Sequence, residues 1–206
     1  MIRALVLLIG YLMGGFQTAI LIGRNQGIDI RDHGSGNAGT TNTLRVLGFK
    51  SAIIVFLGDM LKAVTAIVVA NLIFKDHSSL SYLLISAYAG IGVILGHNWP
   101  VYFQFKGGKG IAVSIATLFM IDYRIGIIAG VIFIICVLLT RYVSLGSILL
   151  TLSAPISLGL LYSGAPNFVE AIGLVIVIPL LATYQHRANI GRLIRGTESK
   201  LGQKNK

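Results

Sequence analysis

Acidic residues and cysteine are scarce in this chain. Its 206 residues include 7 Asp and Glu against 17 Lys and Arg, and charged residues make up only 12% of the total. A soluble globular domain carries about 25% charged residues, so the composition excludes an ordinary water-soluble fold. The single cysteine, Cys136, lies within an apolar run, which excludes a disulfide framework and a cysteine-based metal site. The few carboxylates are too scattered to form another metal site, so we expect no metal.

Apolar residues dominate the rest of the chain, with 55% hydrophobic residues and a mean hydropathy of +0.83. A helix that crosses a bilayer needs about 20 mainly apolar residues, or somewhat fewer when it is buried among neighbours. Seven runs are candidates, namely 2–23, 51–74, 80–96, 111–121, 125–140, 145–162 and 168–185. The first run is longer than the apolar region of a signal peptide and lacks a cleavage site of small residues. The sequence therefore predicts an all-α, polytopic membrane protein, with residues 1–206 as a single transmembrane domain.

The short runs 111–121 and 125–140 are separated only by Asp122, Tyr123 and Arg124. They form either one bent span or a hairpin of two short helices. Because Lys and Arg collect on cytoplasmic loops, the charge distribution decides between these alternatives. With seven spans and an outside N-terminus, 13 of the 17 basic residues lie inside, whereas a merged pair would place the basic C-terminal tail outside. We predict about seven spans with a cytoplasmic C-terminus, and no nucleic-acid partner despite the net charge of +10.

The first inside segment, 31–45, is rich in glycine and in short polar side chains. This composition favours exposed backbone N–H groups in a tight loop, which can bind a phosphate. Arg45 follows at a helical distance and can hold an oxyanion through two parallel hydrogen bonds. A flexible connecting loop explains the same composition, so the segment alone leaves both interpretations open.

The second inside segment, 96–110, contains a diglycine between Lys106 and Lys109, directly before the next apolar run. Backbone donors and a helix N-terminus can therefore face one anion together. The segment is not a nucleotide-binding P-loop, because that pattern requires Ser or Thr at Gly110. By itself, His97 is more typical of an interfacial or hydrogen-bonded histidine than of a base.

The third inside segment directly follows the last span. His186, Asn189 and Arg192 recur every three residues, which places them along one face of a helix, and Glu198 follows. A basic helix in this position commonly contacts lipid headgroups. The combination of three polar residue types on one face also suits a surface that binds a substrate.

Ionisable residues are rare within the spans and are therefore informative. Asp59 and Lys62 lie three residues apart and can pair, either to neutralise each other within the helix packing or to serve catalysis. Arg141 and Ser144 belong to a short inner turn on the same side as the three polar segments. The topology predicts that the polar chemistry converges on the inner face.

Together these segments resemble the acyl-phosphate-dependent glycerol-3-phosphate acyltransferases, a family of small bacterial integral membrane enzymes. The resemblance covers nearly the whole chain and rests on three motifs in the family's order. The motifs are 34–42 with Arg45; 96–110; and His186, Asn189 and Arg192 with Gly196 and Glu198. Thr40 stands where the family often has Ala, and Val113 stands where Thr is common.

The resemblance implies transfer of a fatty acyl group from acyl phosphate to the 1-hydroxyl of sn-glycerol 3-phosphate. The products are lysophosphatidic acid and phosphate, in the first acylation step of phospholipid synthesis. The expected location is the bacterial inner membrane with the active site on the cytoplasmic side, without a cofactor or an obligate protein partner. Acyl phosphate is already activated, so such an enzyme needs an acyl groove and anion sites more than a strong nucleophile. The His-x4-Asp pattern of soluble-type acyltransferases is absent.

The resemblance also implies roles for particular residues. The expected catalytic residues are Ser35, Asn37, His186 and Asn189. The expected substrate-binding residues are Gly34, Gly36, Thr41, Asn42, Arg45, His97, Lys106, Gly107, Gly108, Lys109, Gly110, Ser144, Arg192 and Glu198. In this hypothesis the first two segments bind two phosphates, and the third orients the glycerol hydroxyl. The donor's own phosphate oxygen takes the proton, and loop N–H groups stabilise charge on the carbonyl oxygen.

Two other functions compete with this expectation. A carrier or channel for organic phosphates would use similar loops, but it predicts polar residues at bilayer depth from both halves of the chain. Only Asp59 and Lys62 lie that deep in the predicted spans. A lipid-binding subunit without chemistry would explain the basic tail but not the Gly-Gly-Lys-Gly loop. The sequence therefore favours the enzyme.

Overall fold

The structure is a computed structural model that describes residues 1–77 and 79–203. All regular secondary structure in these residues is helical, which confirms the predicted all-α class. The α-helices are α1 (Ile2–Gly14), α2 (Thr18–Asn25), α3 (Thr40–Phe74), α4 (Tyr82–Asn98), α5 (Ile111–Ile121), α6 (Tyr123–Thr140), α7 (Val143–Tyr162), α8 (Phe168–Gln185) and α9 (Arg187–Ile194). Short 3-10 turns at Ile30–Asp32 and Val101–Phe103 lie in the loops before α3 and α5.

Five segments in the described part of the chain are long and apolar enough to cross a bilayer. They are Ile2–Asn25, Thr40–Phe74, Tyr123–Thr140, Val143–Tyr162 and Phe168–Gln185. Large apolar side chains on these helices point outward, among them Leu138, Leu139 and Leu160, each at least 75% exposed. A contiguous exposed apolar surface of this kind is typical of a protein that faces lipid.

Two of the predicted runs are interrupted in the structure. The first run divides into α1 and α2 at residues 15–17. Helix α3 begins at Thr40, well before the apolar run at residue 51, and is kinked at Gly48, whose φ is 80° and ψ is −176°. Glycine adopts such a φ without steric cost. The residues before the kink thus form a separate helical segment, which carries Arg45.

The short runs 111–121 and 125–140 form two separate helices, α5 and α6, and not one bent helix. Asp122 between them is extended, and its carboxylate accepts a hydrogen bond from the Arg124 N–H at 2.7 Å. The Tyr162 hydroxyl donates to the same carboxylate at 2.6 Å. The Arg124 guanidinium and these hydrogen bonds lower the pKa of Asp122 to about 2. The turn is therefore a capped helix start that is tied to the end of α7.

Helices α1 and α4 pack with their backbones in contact. A Cβ atom on Gly10 would lie 2.1 Å from the Ala89 carbonyl oxygen, and one on Gly96 would lie 2.0 Å from the Tyr11 carbonyl oxygen. Only glycine permits this approach, which resembles the close packing of small residues in membrane helices. The contact places the end of α4, where His97 lies, against the break between α1 and α2.

Candidate active site

A cavity of about 270 Å³ lies at the end of the bundle where α3, α5, α7 and α9 begin. It brings together residues from all three predicted segments and from the inner turn. The predicted site residues that line it are Ser35, Asn37, Thr41, Asn42, Arg45, His97, Lys109, Gly110, Ser144, His186, Asn189 and Glu198. Residues more than 150 positions apart in the sequence thus line one cavity.

The other predicted site residues line two clefts beside this cavity. Gly34, Gly36 and Arg192 line a cleft that shares Arg45 and Lys109 with the cavity. Lys106, Gly107 and Gly108 line a different cleft, together with Asn98 and Arg187. The two lysines of the second segment therefore differ in position, since Lys109 lines the cavity and Lys106 does not.

The starts of four helices surround the cavity. First-turn residues of α3, α5, α7 and α9 line it, namely Thr40, Thr41, Ile111, Ala112, Val143, Ser144 and Asn189. The first N–H groups of a helix have no partner within that helix, and they carry the positive end of its dipole. Four helix starts around one cavity therefore favour an anionic ligand.

The Asn42 amide organises the first loop. Its Oδ1 accepts a hydrogen bond from the Ser35 N–H at 2.8 Å, and its Nδ2 donates to the carbonyl oxygens of Ile30 and His33 at 3.1 and 2.9 Å. Asn42 is almost completely buried, and a Cβ atom on Gly34 would lie 2.3 Å from its Oδ1. The expected contact between Asn42 and a substrate stays a prediction, while the structure uses its amide to hold the loop.

The side chains of Ser35, Asn37 and Arg45 make no hydrogen bond to any described residue. Ser35 and Arg45 line both the cavity and the adjoining cleft. Because Arg45 has no carboxylate partner in the described ranges, its guanidinium is available to bind an anion through two parallel hydrogen bonds.

Lys109 connects the loop between α4 and α5, residues 99–110 and here called the second loop, to the third segment. Its Nζ donates to Asn189 Oδ1. Burial lowers the pKa of Lys109 to about 8; the nearby Glu198 carboxylate opposes this shift, and the Arg192 and Arg45 guanidinium groups add to it. The Lys109 side chain is therefore a cation at neutral pH and loses that charge in mildly alkaline solution.

Glu198 holds α7 and α9 together beside the cavity. Its carboxylate accepts hydrogen bonds from Ser144 Oγ at 2.8 Å, Asn189 Nδ2 at 2.6 Å and Arg192 Nε at 2.7 Å. Burial opposes ionisation of Glu198, but these three hydrogen bonds outweigh it and lower the pKa. Since Asn189 accepts from Lys109 and donates to Glu198, the orientation of its amide is fixed by both partners.

The His186 imidazole is neutral and presents an acceptor nitrogen. Its Nδ1 lies 2.8 Å from the Ala182 carbonyl oxygen, which can only accept, so Nδ1 carries the hydrogen. Burial, followed by the nearby Lys109 charge, lowers the pKa of His186 to about 4. Because no described residue bonds to Nε2 and His186 lines the cavity, this nitrogen can accept a hydrogen bond from a bound hydroxyl.

Several cavity residues were not identified from the sequence as site residues. The polar ones are Gly39, Thr40, Asp59, Ser147 and Ser199, and the apolar ones are Phe56, Ile111, Ala112, Phe133 and Val143. The sequence did give a reason to consider Asp59 as a site residue, because it is an ionisable residue within a span. The apolar residues gave no such reason, since nothing in an apolar run distinguishes side chains that face a cavity from those that face lipid. Among residues 1–77 and 79–203, no group of three or more His, Cys, Asp or Glu residues is placed to hold a metal.

The chain is similar to known proteins over nearly its whole length. The family model described as glycerol-3-phosphate acyltransferase matches residues 4–196. A glycerol-3-phosphate acyltransferase of Shouchella clausii is 43% identical over 198 residues, which cover 96% of this chain and 95% of that protein. One from Halalkalibacterium halodurans is 44% identical over 201 residues, with 97% and 96% covered.

The fold is also similar to a solved structure. PlsY (YgiH), described as an integral membrane glycerol 3-phosphate acyltransferase, matches in its glycerol 3-phosphate form with a TM-score of 0.84 and 35% identity, over 97% of this chain and 96% of that chain. Its lysophosphatidic acid form matches with a TM-score of 0.82 and 34% identity, over 97% and 95%. Both matches therefore extend over nearly the whole of this chain.

Proposed function

The chain belongs to the glycerol-3-phosphate acyltransferase family, and from this membership we propose that its acyl donor is acyl phosphate. In this reaction the 1-hydroxyl oxygen of glycerol 3-phosphate forms a bond to the acyl carbon, and the bond from that carbon to the phosphate oxygen breaks. One observation carries the proposal, namely a cavity that joins cationic side chains and four helix starts to an apolar wall. The two phosphates of the substrates need the cationic side chains and the helix N–H groups, and the acyl chain needs the apolar wall. The related PlsY structures in glycerol 3-phosphate and lysophosphatidic acid forms are consistent with such an acceptor and product.

Arg45 and Lys109 provide the charge that holds the phosphates in this proposal. Both line the cavity and the adjoining cleft, and Ser35 lies on the same surface with a hydroxyl that bonds to none of the described residues. The N–H groups at the helix starts supply additional donors, which also stabilise negative charge on the carbonyl oxygen during attack. We assign no cofactor to the reaction, because acyl phosphate is itself an activated anhydride.

His186 orients the acceptor in the proposed mechanism. A neutral imidazole whose Nε2 bonds to no described residue accepts a hydrogen bond from the glycerol 1-hydroxyl and directs its oxygen toward the acyl carbon. With a pKa of about 4 this imidazole is a weak base at neutral pH. The hydroxyl proton is therefore transferred to an oxygen of the departing phosphate. Asn189 holds Lys109 and Glu198 around this position, which accounts for its place in the third motif.

The acyl chain lies against the apolar wall in this proposal. Phe56 on α3 and Phe133 on α6 line the cavity together with Ile111 and Val143. Phe56 is 38% exposed and its neighbour Leu57 is 57% exposed, and we infer that the wall continues toward the side of the helix bundle that faces lipid. An amphiphilic donor can thus enter from the membrane while its phosphate reaches the polar end.

We further propose that α1, α3, α4, α5, α6, α7 and α8 are the seven spans, with the N-terminus outside and the cavity on the cytoplasmic side of the bacterial inner membrane. The distribution of basic residues supports this orientation. In a Cys136→Ser background, Tyr123→Cys should react with a membrane-impermeant maleimide in intact cells, since Tyr123 is 65% exposed in the α5–α6 turn. The matched variant Gln203→Cys should react only after permeabilisation. The reverse pattern would contradict the orientation.

The donor is tested by following phosphate release from palmitoyl phosphate by the purified protein. We expect release to depend on glycerol 3-phosphate and to equal the lysophosphatidic acid formed. Palmitoyl-CoA serves as the control donor and is expected to support no transfer. Transfer from palmitoyl-CoA alone would show that the acyltransferase uses a different donor.

The pH dependence of kcat/KM for glycerol 3-phosphate should follow the Lys109 charge in the free enzyme. That charge is lost as the pH rises through the pKa of about 8, so kcat/KM should fall by about tenfold per pH unit above it. His186 should contribute no change above about pH 5, because it is already neutral there. The control Lys109→Arg stays charged and should lose the alkaline decline. If the alkaline decline of kcat/KM persists in Lys109→Arg, a group other than Lys109 causes it.

A further inference from the structure

A buried polar cluster of three side chains lies beside the second loop. Two of them, Asp59 and His97, line the cavity, but the chemistry proposed above gives none of the three a role. Asp59 and Lys62 belong to α3, and His97 lies near the end of α4. Lys62 Nζ is 2.9 Å from Asp59 Oδ1, 2.9 Å from His97 Nδ1 and 2.5 Å from the Phe16 carbonyl oxygen. The Thr18 hydroxyl donates to Asp59 Oδ1 at 3.2 Å. The cluster therefore joins α3, α4 and the break between α1 and α2.

The Lys62 ammonium uses all of its hydrogen-bonding capacity in this cluster. An ammonium has three N–H donors, and three acceptors surround Nζ. Because the ammonium can only donate, His97 Nδ1 must accept, and the hydrogen of the neutral imidazole lies on Nε2. A mutual ion pair of Asp59 and Lys62 requires only the carboxylate, so the contact with His97 is an additional feature that neutralisation does not explain.

The opposite side of the His97 residue supports the second loop. The Gly108 N–H donates to the His97 carbonyl oxygen at 3.0 Å, and Gln17 Nε2 donates to the same oxygen at 3.1 Å. A Cβ atom on Gly108 would lie 2.1 Å from His97 Nε2 and 2.7 Å from the Ala38 carbonyl oxygen. The loop therefore rests directly on the imidazole, one residue before Lys109.

We propose that Lys62 is a positioning residue for this loop. Through the His97 imidazole it fixes Gly108, and with it the place of Lys109 relative to the bound phosphate. The inference rests on the proposed function, since it concerns the same loop and the same substrates. It assigns Lys62 no contact with substrate, because three acceptors among the described residues already use the three N–H groups of its ammonium.

The test compares Lys62→Met with the control Lys75→Met. The control removes an exposed lysine that directly follows the last residue of α3. KM for glycerol 3-phosphate, KM for palmitoyl phosphate, kcat and Tm are measured on purified protein. We expect Lys62→Met to raise at least one KM by about tenfold to a hundredfold, because a small misplacement of a binding group has effects of this size. Lys75→Met should match the wild type. Unchanged KM values, with kcat reduced only in proportion to the folded fraction, would overturn the proposal.

Where Lys62→Met alone fails to fold, the variant Asp59→Asn/Lys62→Met replaces it, because it leaves no unpaired buried charge. It still removes the donor to His97, so the same rise in KM is expected. Wild-type KM values in this variant would show that the pair serves only to neutralise itself.

Gly108→Ala perturbs the same contact from the loop side and leaves the ion pair intact. Its Cβ collides with the imidazole, so we expect a rise in the same KM. The double variant Lys62→Met/Gly108→Ala should raise KM by no more than the larger of the two single variants does, because both changes act through His97. Effects that multiply in the double variant would exclude a shared route and overturn the proposal.

Calorimetric binding of glycerol 3-phosphate without a donor separates this inference from the donor assignment. If the wild type does not turn over palmitoyl phosphate, the proposed donor is wrong. The second loop can still bind the phosphate of glycerol 3-phosphate in that case. The dissociation constant for glycerol 3-phosphate then tests whether Lys62 positions the loop. Weaker binding by Lys62→Met and Gly108→Ala supports it, and unchanged binding overturns it.

Discussion

Replacing Lys109 by methionine should lower kcat/KM for glycerol 3-phosphate by about 10²–10³-fold, the usual effect of removing one preorganised donor from an active site. Lys109 lines the cavity and both clefts, and its ammonium also donates to Asn189. Methionine preserves most of the side-chain volume while it removes the charge and the donor. The measurement is steady-state phosphate release with each substrate varied in turn.

Lys106→Met is the matched control for this prediction. The two lysines lie three residues apart in the same loop, but Lys106 lines only the cleft that excludes Arg45 and Glu198. We expect its effect to be less than about tenfold, since exposed charges contribute little to binding over a distance. Equal losses in the two variants would mean that both lysines contact the transferred groups, and the proposed division between cavity and cleft would be wrong.

Replacing His186 by alanine should lower kcat by about 10²–10⁴-fold, the range typical of losing a group that handles a proton or its hydroxyl in the transition state. His186 lines the cavity, and the hydrogen bond from Nδ1 to the Ala182 carbonyl oxygen fixes the ring. KM for palmitoyl phosphate should change little, because the imidazole contacts the acceptor and not the donor. Single-turnover measurements with saturating acyl phosphate distinguish this effect from slow product release.

His33→Ala is the control, since His33 is exposed and does not line the cavity. It should retain wild-type kcat, because in the described hydrogen bonds only its backbone atoms take part in the loop. Wild-type kcat in His186→Ala would refute the orienting role. The hydroxyl would then have to be aligned by the Lys109–Asn189–Glu198 chain instead.

The helices were predictable where an apolar run ends at polar residues. Runs 111–121 and 168–185 match α5 and α8 residue for residue. At these positions the helix ends at the same residue at which the chain becomes polar. The break at residues 15–17 and the early start of α3 at Thr40 were not predictable. The break packs against the end of α4, and the start of α3 is tied to the preceding loop by the Asn42 hydrogen bonds. Hydropathy reports neither of these contacts.

The site was predictable as a set of motifs but not as an arrangement. The contact of Asn42 with substrate stays a prediction, and the structure adds that its amide bonds to three backbone groups of its own loop. Lys106 and Lys109 were both expected to bind substrate, which stays a prediction; both line one cleft, but only Lys109 also lines the cavity. Residue type and spacing indicate which atoms can bind a phosphate, but not which of those atoms are already paired.

The sequence by itself determined the class of protein, the helical runs, the three motifs and the family resemblance. These follow from composition, local periodicity and residue type, which need no knowledge of distant contacts. Only the tertiary structure decided that Lys109, Asn189 and Glu198 form one chain of hydrogen bonds and that Lys62 reaches His97. These partners lie on different helices or loops, so the packing of helices sets their distances and local sequence does not.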